Sequence, residues 1–267
     1  NNERVKKIVG TSDFDTAYKE WSAIVNTEKK ETHAASVIGK ITIDDITDAN
    51  KDKIIKLLRQ SKDKNTDIEN IVKYFNSGFD SWKYTNGQAM ADILGTLSDN
   101  DKKTQIESIV ALFNNGFDSW KYTNGQAMAE ILKILNDDKK EPHIASIVNV
   151  FNTNFDEWNS QNRKVMDEIL NNTFNDGNKK DAHINKIVEI FINQNFAKWN
   201  TNTDNNVDVI KLIIDNSSNI SIHITNICKV LTTFINDTLN KEALTNNDLK
   251  NIAEAAIREA EEATKIK

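Results

Sequence analysis

Proline and glycine are scarce, with one proline, Pro142, and 8 glycines in 267 residues. An all-β chain of this length needs many more turn-forming residues, so sandwiches and barrels give way to helices joined by short loops. Cysteine is reduced to Cys228, which excludes a disulfide within the chain. It lies in the apolar run ICKVL and reads as a small core residue. No apolar run approaches the roughly 18 residues that a membrane span needs. An excess of basic residues is lacking too: 34 Lys and Arg against 40 Asp and Glu leave a net charge of −6. Without a basic face there is little to neutralise phosphates, and a generic nucleic-acid binder is excluded. The chain contains no Gly-rich phosphate loop, no HExxH, no GxSxG and no Cys–His pair at a meaningful spacing. No catalytic residue, cofactor or metal is therefore expected, and the protein reads as non-enzymatic. It begins at Asn1 rather than Met, as a processed product or an excised piece would.

What the chain does have is internal repetition. The stretch FDSWKYTNGQAMA occurs twice, at 79–91 and 117–129, and FDEW and FAKW open two later units at Phe155 and Phe196. These openings are 38, 38 and 41 residues apart. Counting back 38 from Phe79 aligns Ile41 with it, without a gap, and puts Asp44 at the Trp position. A second motif closes each unit: DIENIVKYF, QIESIVALF, HIASIVNVF, HINKIVEIF and the diverged HITNICKVL. The reading is five units, 41–78, 79–116, 117–154, 155–195 and 196–236. A degenerate repeat or cap (1–40) precedes them and a C-terminal capping helix (237–267) follows, all in one continuous structural unit.

Each unit carries two apolar stripes at helical spacing. Met90, Ile93, Leu94 and Leu97 form one, and Ile68, Ile71, Val72 and Phe75 form the other. Short polar stretches (SDNDKK, NDDKKEP, NDGNKKDA) join the stripes, so the paired helices are antiparallel neighbours. Neither helix can bury its stripe alone, and stacking the units would build a continuous core. The predicted fold is all-α: an α-solenoid of stacked antiparallel helical hairpins with a repeat of about 38–41 residues. Only Gly or Asn stands at the junctions 78, 116, 154 and 195. This predicts a left-handed, positive-φ residue ending each second helix. Thr85-Asn86-Gly87-Gln88 and its copy at 123–126 fit a capping box.

Three repeated features are candidates for function. Trp82, Trp120, Trp158 and Trp199 recur once per unit and read as a packing ladder, or as a row of anchors on a binding face. Asp44 at the Trp position of the first unit favours an open edge there. Tyr84 and Tyr122, flanked by Lys83 and Lys121, occur only in the two near-identical central units. Trp82, Lys83, Tyr84, Trp120, Lys121 and Tyr122 are accordingly the candidate partner-binding residues. His33, His143, His183 and His223 share one repeat position. No second ligand lies at i+3 or i+4, so they read as polar residues that begin the second helix rather than as metal ligands. Lysine pairs such as Lys102-Lys103 and Lys139-Lys140 suggest a basic ridge, but the acidic residues among them make a solvated mixed-charge turn the better reading.

The Asn-, Lys- and Ile-rich repeat AMADILGTLSDNDKKTQIESIVALFNNGFD (89–118) resembles helical passenger segments of rickettsial surface cell antigens, an autotransporter family. The resemblance implies a secreted or surface-exposed bacterial protein meeting a host partner, with host actin among the candidates. It carries over no functional residue. The functional expectation is a scaffold for protein–protein interaction, and the alternative is a passive spacer within a larger surface protein.

Overall fold

The computed structural model describes residues 14–193 and 203–236, with Glu254 and Arg258. Among the described residues the protein is all-α, with twelve α-helices, four short 3-10 turns and no strand. No helix among them is long and apolar enough to cross a membrane. The expected capping helix at 237–267, the Phe196 opening with Asn195 and Trp199, and the burial of Cys228 lie outside the described residues. The chain divides into two compact units, Asn1–Lys140 and Glu141–Lys267.

The first unit opens with a helix pair, α1 (Phe14–Ser22) and α2 (Thr27–Ile38), where the degenerate repeat is expected. A 3-10 turn (Ile43–Asp45), α3 (Lys51–Gln60) and α4 (Lys64–Ser77) follow. The same order returns as a turn (Phe79–Ser81), α5 (Tyr84–Leu94) and α6 (Asp99–Asn115), and again as a turn (Phe117–Ser119) and α7 (Tyr122–Lys133). First helices pack on first helices, α3 on α5 and α5 on α7, and second helices likewise, α4 on α6. The stripes explain this. Ile54, Leu57 and Leu58 of α3, Met90, Ile93 and Leu94 of α5, and Ile68, Ile71, Val72 and Phe75 of α4 are all buried.

Helix α8 (Asp137–Thr153) runs through the division between the units and contains Pro142. In the second unit a turn (Phe155–Glu157), α9 (Ser160–Thr173) and α10 (Gly177–Asn193) are followed by α11 (Thr203–Asn216) and α12 (Ile220–Asn236). Here α9 packs on α11 and α10 on α12.

Four local expectations are corrected. The polar stretches read as linkers are mostly helix: α6 starts at Asp99, α8 at Asp137 and α10 at Gly177. Ser98 caps α6 by accepting the Asp101 N–H at 3.3 Å, and Asp99 and Asp101 suit the positive end of the helix dipole. Trp82 and Lys83 are extended, and helix begins at Tyr84, ahead of the proposed capping box. Asn86 instead accepts the Lys83 N–H at 2.9 Å.

The ungapped alignment of the first repeat is two residues out of register in its first helix. Ile43, not Ile41, opens the 3-10 turn, and a Cβ on Gly78 would meet Ile43 as one on Gly116 would meet Phe79. Ile46 then stands where later units carry Trp, and it is fully buried, whereas Asp44 is exposed. No open edge is needed to explain a carboxylate at the Trp position.

At the described junctions the positive φ does not occur. Gly78 and Gly116 end their helices with φ of −113° and −96°, and Asn154 has −109°. Space is the reason for glycine. A Cβ on Gly116 would lie 2.9 Å from Phe79 Cε1, and one on Gly78 would lie 3.0 Å from Ile43 Cγ2. In each case the residue that opens the same repeat, Phe79 or Ile43, occupies the place of a side chain.

Candidate functional site

The three repeated tryptophans among the described residues are core. Trp82 is 1% exposed and Trp120 2%, and Trp158 is also buried. The indole Nε1–H of Trp82 donates to the Phe75 carbonyl at 2.8 Å, and that of Trp158 to the Phe151 carbonyl at 2.7 Å. Trp120 donates to Phe113 in the same way. Each ring is held among phenylalanines: Trp82 lies edge-on to Phe75 with centroids 4.5 Å apart, and Phe113 stacks on Trp120 at 4.0 Å. A ring buried on both faces with its N–H satisfied offers nothing to a partner. Trp82 and Trp120 therefore leave the candidate surface as direct contacts.

Lys83, Tyr84, Lys121 and Tyr122 stay on it. Lys83 and Lys121 are extended residues that enter α5 and α7, and both side chains are exposed. Tyr84 is 38% exposed and Tyr122 40%. Their placement is fixed from below by a buried asparagine. Asn124 accepts the Lys121 N–H at 2.9 Å and donates to the Phe79 carbonyl one repeat earlier at 2.6 Å. Asn86 does the same with Lys83, and donates to the carbonyls of Ile43 and Ile46 at 2.9 and 2.8 Å. The side chain that ties one repeat to the last thus sets where each Lys–Tyr pair emerges.

The surroundings of the pairs are polar. Lost hydration, followed by the Glu130 carboxylate beside it, raises the Tyr84 phenol above its ordinary pKa. Glu130 itself pairs with Lys133 at 2.6 Å. The Lys121 ammonium lies 3.8 Å from an Asp80 carboxylate oxygen and 3.4 Å from the Asp80 carbonyl. Between the turns at Phe79 and Phe117 a shallow cleft is lined by Ser77, Asp80, Ser81, Asn115 and Ser119. The lysine pairs do not make a basic ridge. Lys102 and Lys139 share Asp99 at 3.3 and 3.5 Å, Lys140 pairs with Asp137 at 2.9 Å, and Lys103 with Glu107 at 3.5 Å.

The histidine position is the feature the repeat pattern misplaced. His143, His183 and His223 do not begin their helices on the surface; all three are buried inside α8, α10 and α12. Gln105 and Asp67 are buried at the same position in α6 and α4. A usable signal existed. Residues 67, 71 and 75, like 183, 187 and 191, fall four apart, so the polar residue shares the apolar face. No group of three His, Cys, Asp or Glu among the described residues could hold a metal ion.

No family model, no curated protein and no solved structure matches this chain.

Proposed function

We propose that the chain is an α-solenoid of helical hairpins acting as a non-enzymatic scaffold that binds a protein partner through Lys83, Tyr84, Lys121 and Tyr122. One observation carries the reading. Among the described residues the exposed large hydrophobic side chains are Val25, Tyr84, Tyr122, Ile192 and Ile222, and of these Tyr84 and Tyr122 stand at equivalent places in consecutive repeats. Tyrosine beside a cation is a typical interface anchor, and a pair one repeat apart suits an extended ligand. The similarity to rickettsial surface antigens extends the proposal to a secreted or surface-exposed bacterial protein with a host partner, actin among the candidates. In the test, the full chain serves as bait in a host-cell lysate and captured proteins are identified by mass spectrometry. Replacing Tyr84 and Tyr122 by Ala should weaken binding of the captured partner by about thirtyfold or more, with little change in melting temperature. Unchanged affinity removes the site.

A second reading, a passive spacer, is favoured by the isolation of the other exposed apolar residues and by the pairing of Lys121 with Asp80. A spacer presents no contiguous apolar patch. It predicts the same background capture for the parent chain and the double variant.

A further inference from the structure

The polar position that shares the apolar face of the second helices changes character along the chain. In the first unit it holds a half-buried His33, then buried Asp67 and Gln105, and in the second the buried His143, His183 and His223. In the second unit a carboxylate one helix back reaches the histidine twice, from the same place. Glu141 lies two residues before His143, and its Oε1 is 3.0 Å from Nε2 of His183. Asp181 lies two residues before His183, and its Oδ1 is 3.8 Å from Nε2 of His223. The Phe174 ring stacks on the His183 ring, with centroids 5.5 Å apart and planes 8° from parallel. Asp181 is held by the turn before α12: it accepts the Ser218 N–H at 3.1 Å and the Ser217 hydroxyl at 3.3 Å, and the Ser218 hydroxyl bonds its other oxygen.

We propose that Glu141–His183 and Asp181–His223 form a proton-operated latch, which loosens the packing of α10 and α12 when the buried imidazoles take up protons in mild acid.

The geometry gives the direction. His183 is fully buried and His223 nearly so, and neither Nδ1 nor Nε2 of either ring makes a hydrogen bond. An imidazolium there would bury a charge without a well-formed hydrogen bond at either nitrogen, the nearby carboxylate supplying attraction alone. Burial outweighs the attraction of Glu141 for His183, and Lys186 on the same helix adds repulsion. For His223 burial outweighs the attraction of Asp181. Lys180, whose ammonium donates to Asn171 at 3.1 Å, also feels the attraction of Asp167 of α9 and of Asp181. Both histidines are therefore held below their ordinary value and bind fewer protons folded than unfolded. Their contribution to stability is complete above about pH 6.5, and falls as the pH drops through that value toward the folded pKa. In the first unit burial raises the Asp67 carboxyl, so acid acts there with the opposite sign.

Hydrogen exchange of the full chain at pH 7.5 and 5.5, corrected for intrinsic rates, is the test. Each histidine titrating in this window raises the opening constant by up to about tenfold per pH unit. Protection of α10 and α12 should fall tenfold or more at pH 5.5, while α4, α5 and α6 change little. Combining His183→Gln with His223→Gln should abolish the difference, because Gln105 shows that the position accepts a buried glutamine. Equal protection of α10 and α12 at both pH values, or a fall that persists in the double variant, overturns the proposal. Should the double variant not fold, nuclear magnetic resonance titration of the parent chain decides: both imidazoles titrating below pH 6.5 supports the latch, and either at or above 6.5 sinks it.

Discussion

The side-chain amide of Asn124 donates to the main-chain carbonyl of Phe79, 45 residues earlier, at 2.6 Å. The same asparagine accepts the Lys121 N–H at 2.9 Å, so one buried residue sets the start of α7 and docks it on the preceding turn. Asn124→Ala leaves a buried donor and a buried acceptor unpaired and should cost about 2–4 kcal/mol in urea unfolding. Asn124→Asp should cost at least as much at pH 7, because a carboxylate oxygen would then face the Phe79 carbonyl. A loss under 1 kcal/mol for both variants would mean that the bond contributes little to docking.

Gly87 lies inside α5, where glycine is unfavourable by roughly 0.5–1 kcal/mol relative to alanine. A Cβ there would sit 2.3 Å from Ala127 Cα and 2.6 Å from its carbonyl oxygen. Backbone atoms of α7 cannot yield as a side chain can. Gly87→Ala should therefore destabilise by about 2 kcal/mol in spite of its better helix propensity. Gly116→Ala, whose obstacle is the edge of the Phe79 ring, should cost less. Thermal unfolding of the two variants in parallel checks the order, and a stabilised Gly87→Ala would show that α5 and α7 are not so closely apposed.

Asp67 is buried, with the Ser61 hydroxyl bonded to its carboxylate. Burial raises its pKa above the ordinary value, and Asp63 adds to this against the Ser61 bond. A carboxyl raised in the folded state stabilises below its unfolded pKa and loses that stability as the pH rises through the folded one. At pH 7 the charged form is therefore a burden. Asp67→Asn, which can still accept from Ser61, should leave stability at pH 7 unchanged or raise it by up to about 1 kcal/mol. It should also remove the gain that the parent chain shows at about pH 4 relative to pH 7. Urea titrations at the two pH values measure this, and a variant weakened by more than 1 kcal/mol at pH 7 would contradict the sign.

Several of these relationships are legible in the sequence. The stripes through Met90, Ile93 and Leu94 and through Ile68, Ile71, Val72 and Phe75 are local periodicities, and helix burial follows them directly. The exposure of Tyr84 and Tyr122 agrees with the sequence reading as well. The first repeat was harder to place, because its two-residue shift lies between the stripes, where the polar residues carry no period.

By itself, then, the sequence determined helix type, helix number per repeat and the identity of the apolar faces, because each depends on residues within two turns of one another. Tertiary structure decided the rest. Gly116 is glycine because Phe79, 37 residues earlier at the opening of its own repeat, fills the space of its side chain, not because its backbone is left-handed. Trp82 is core because a phenylalanine from each of two repeats encloses it, and Asn86 is buried because carbonyls 40 and 43 residues away need a donor. His183 is buried because its place on α10 faces a neighbouring helix that brings Glu141 to its ring. In each case the decisive partner lies far along the chain, mostly in another repeat, and a periodic pattern records which residues recur without recording how closely the recurring elements approach.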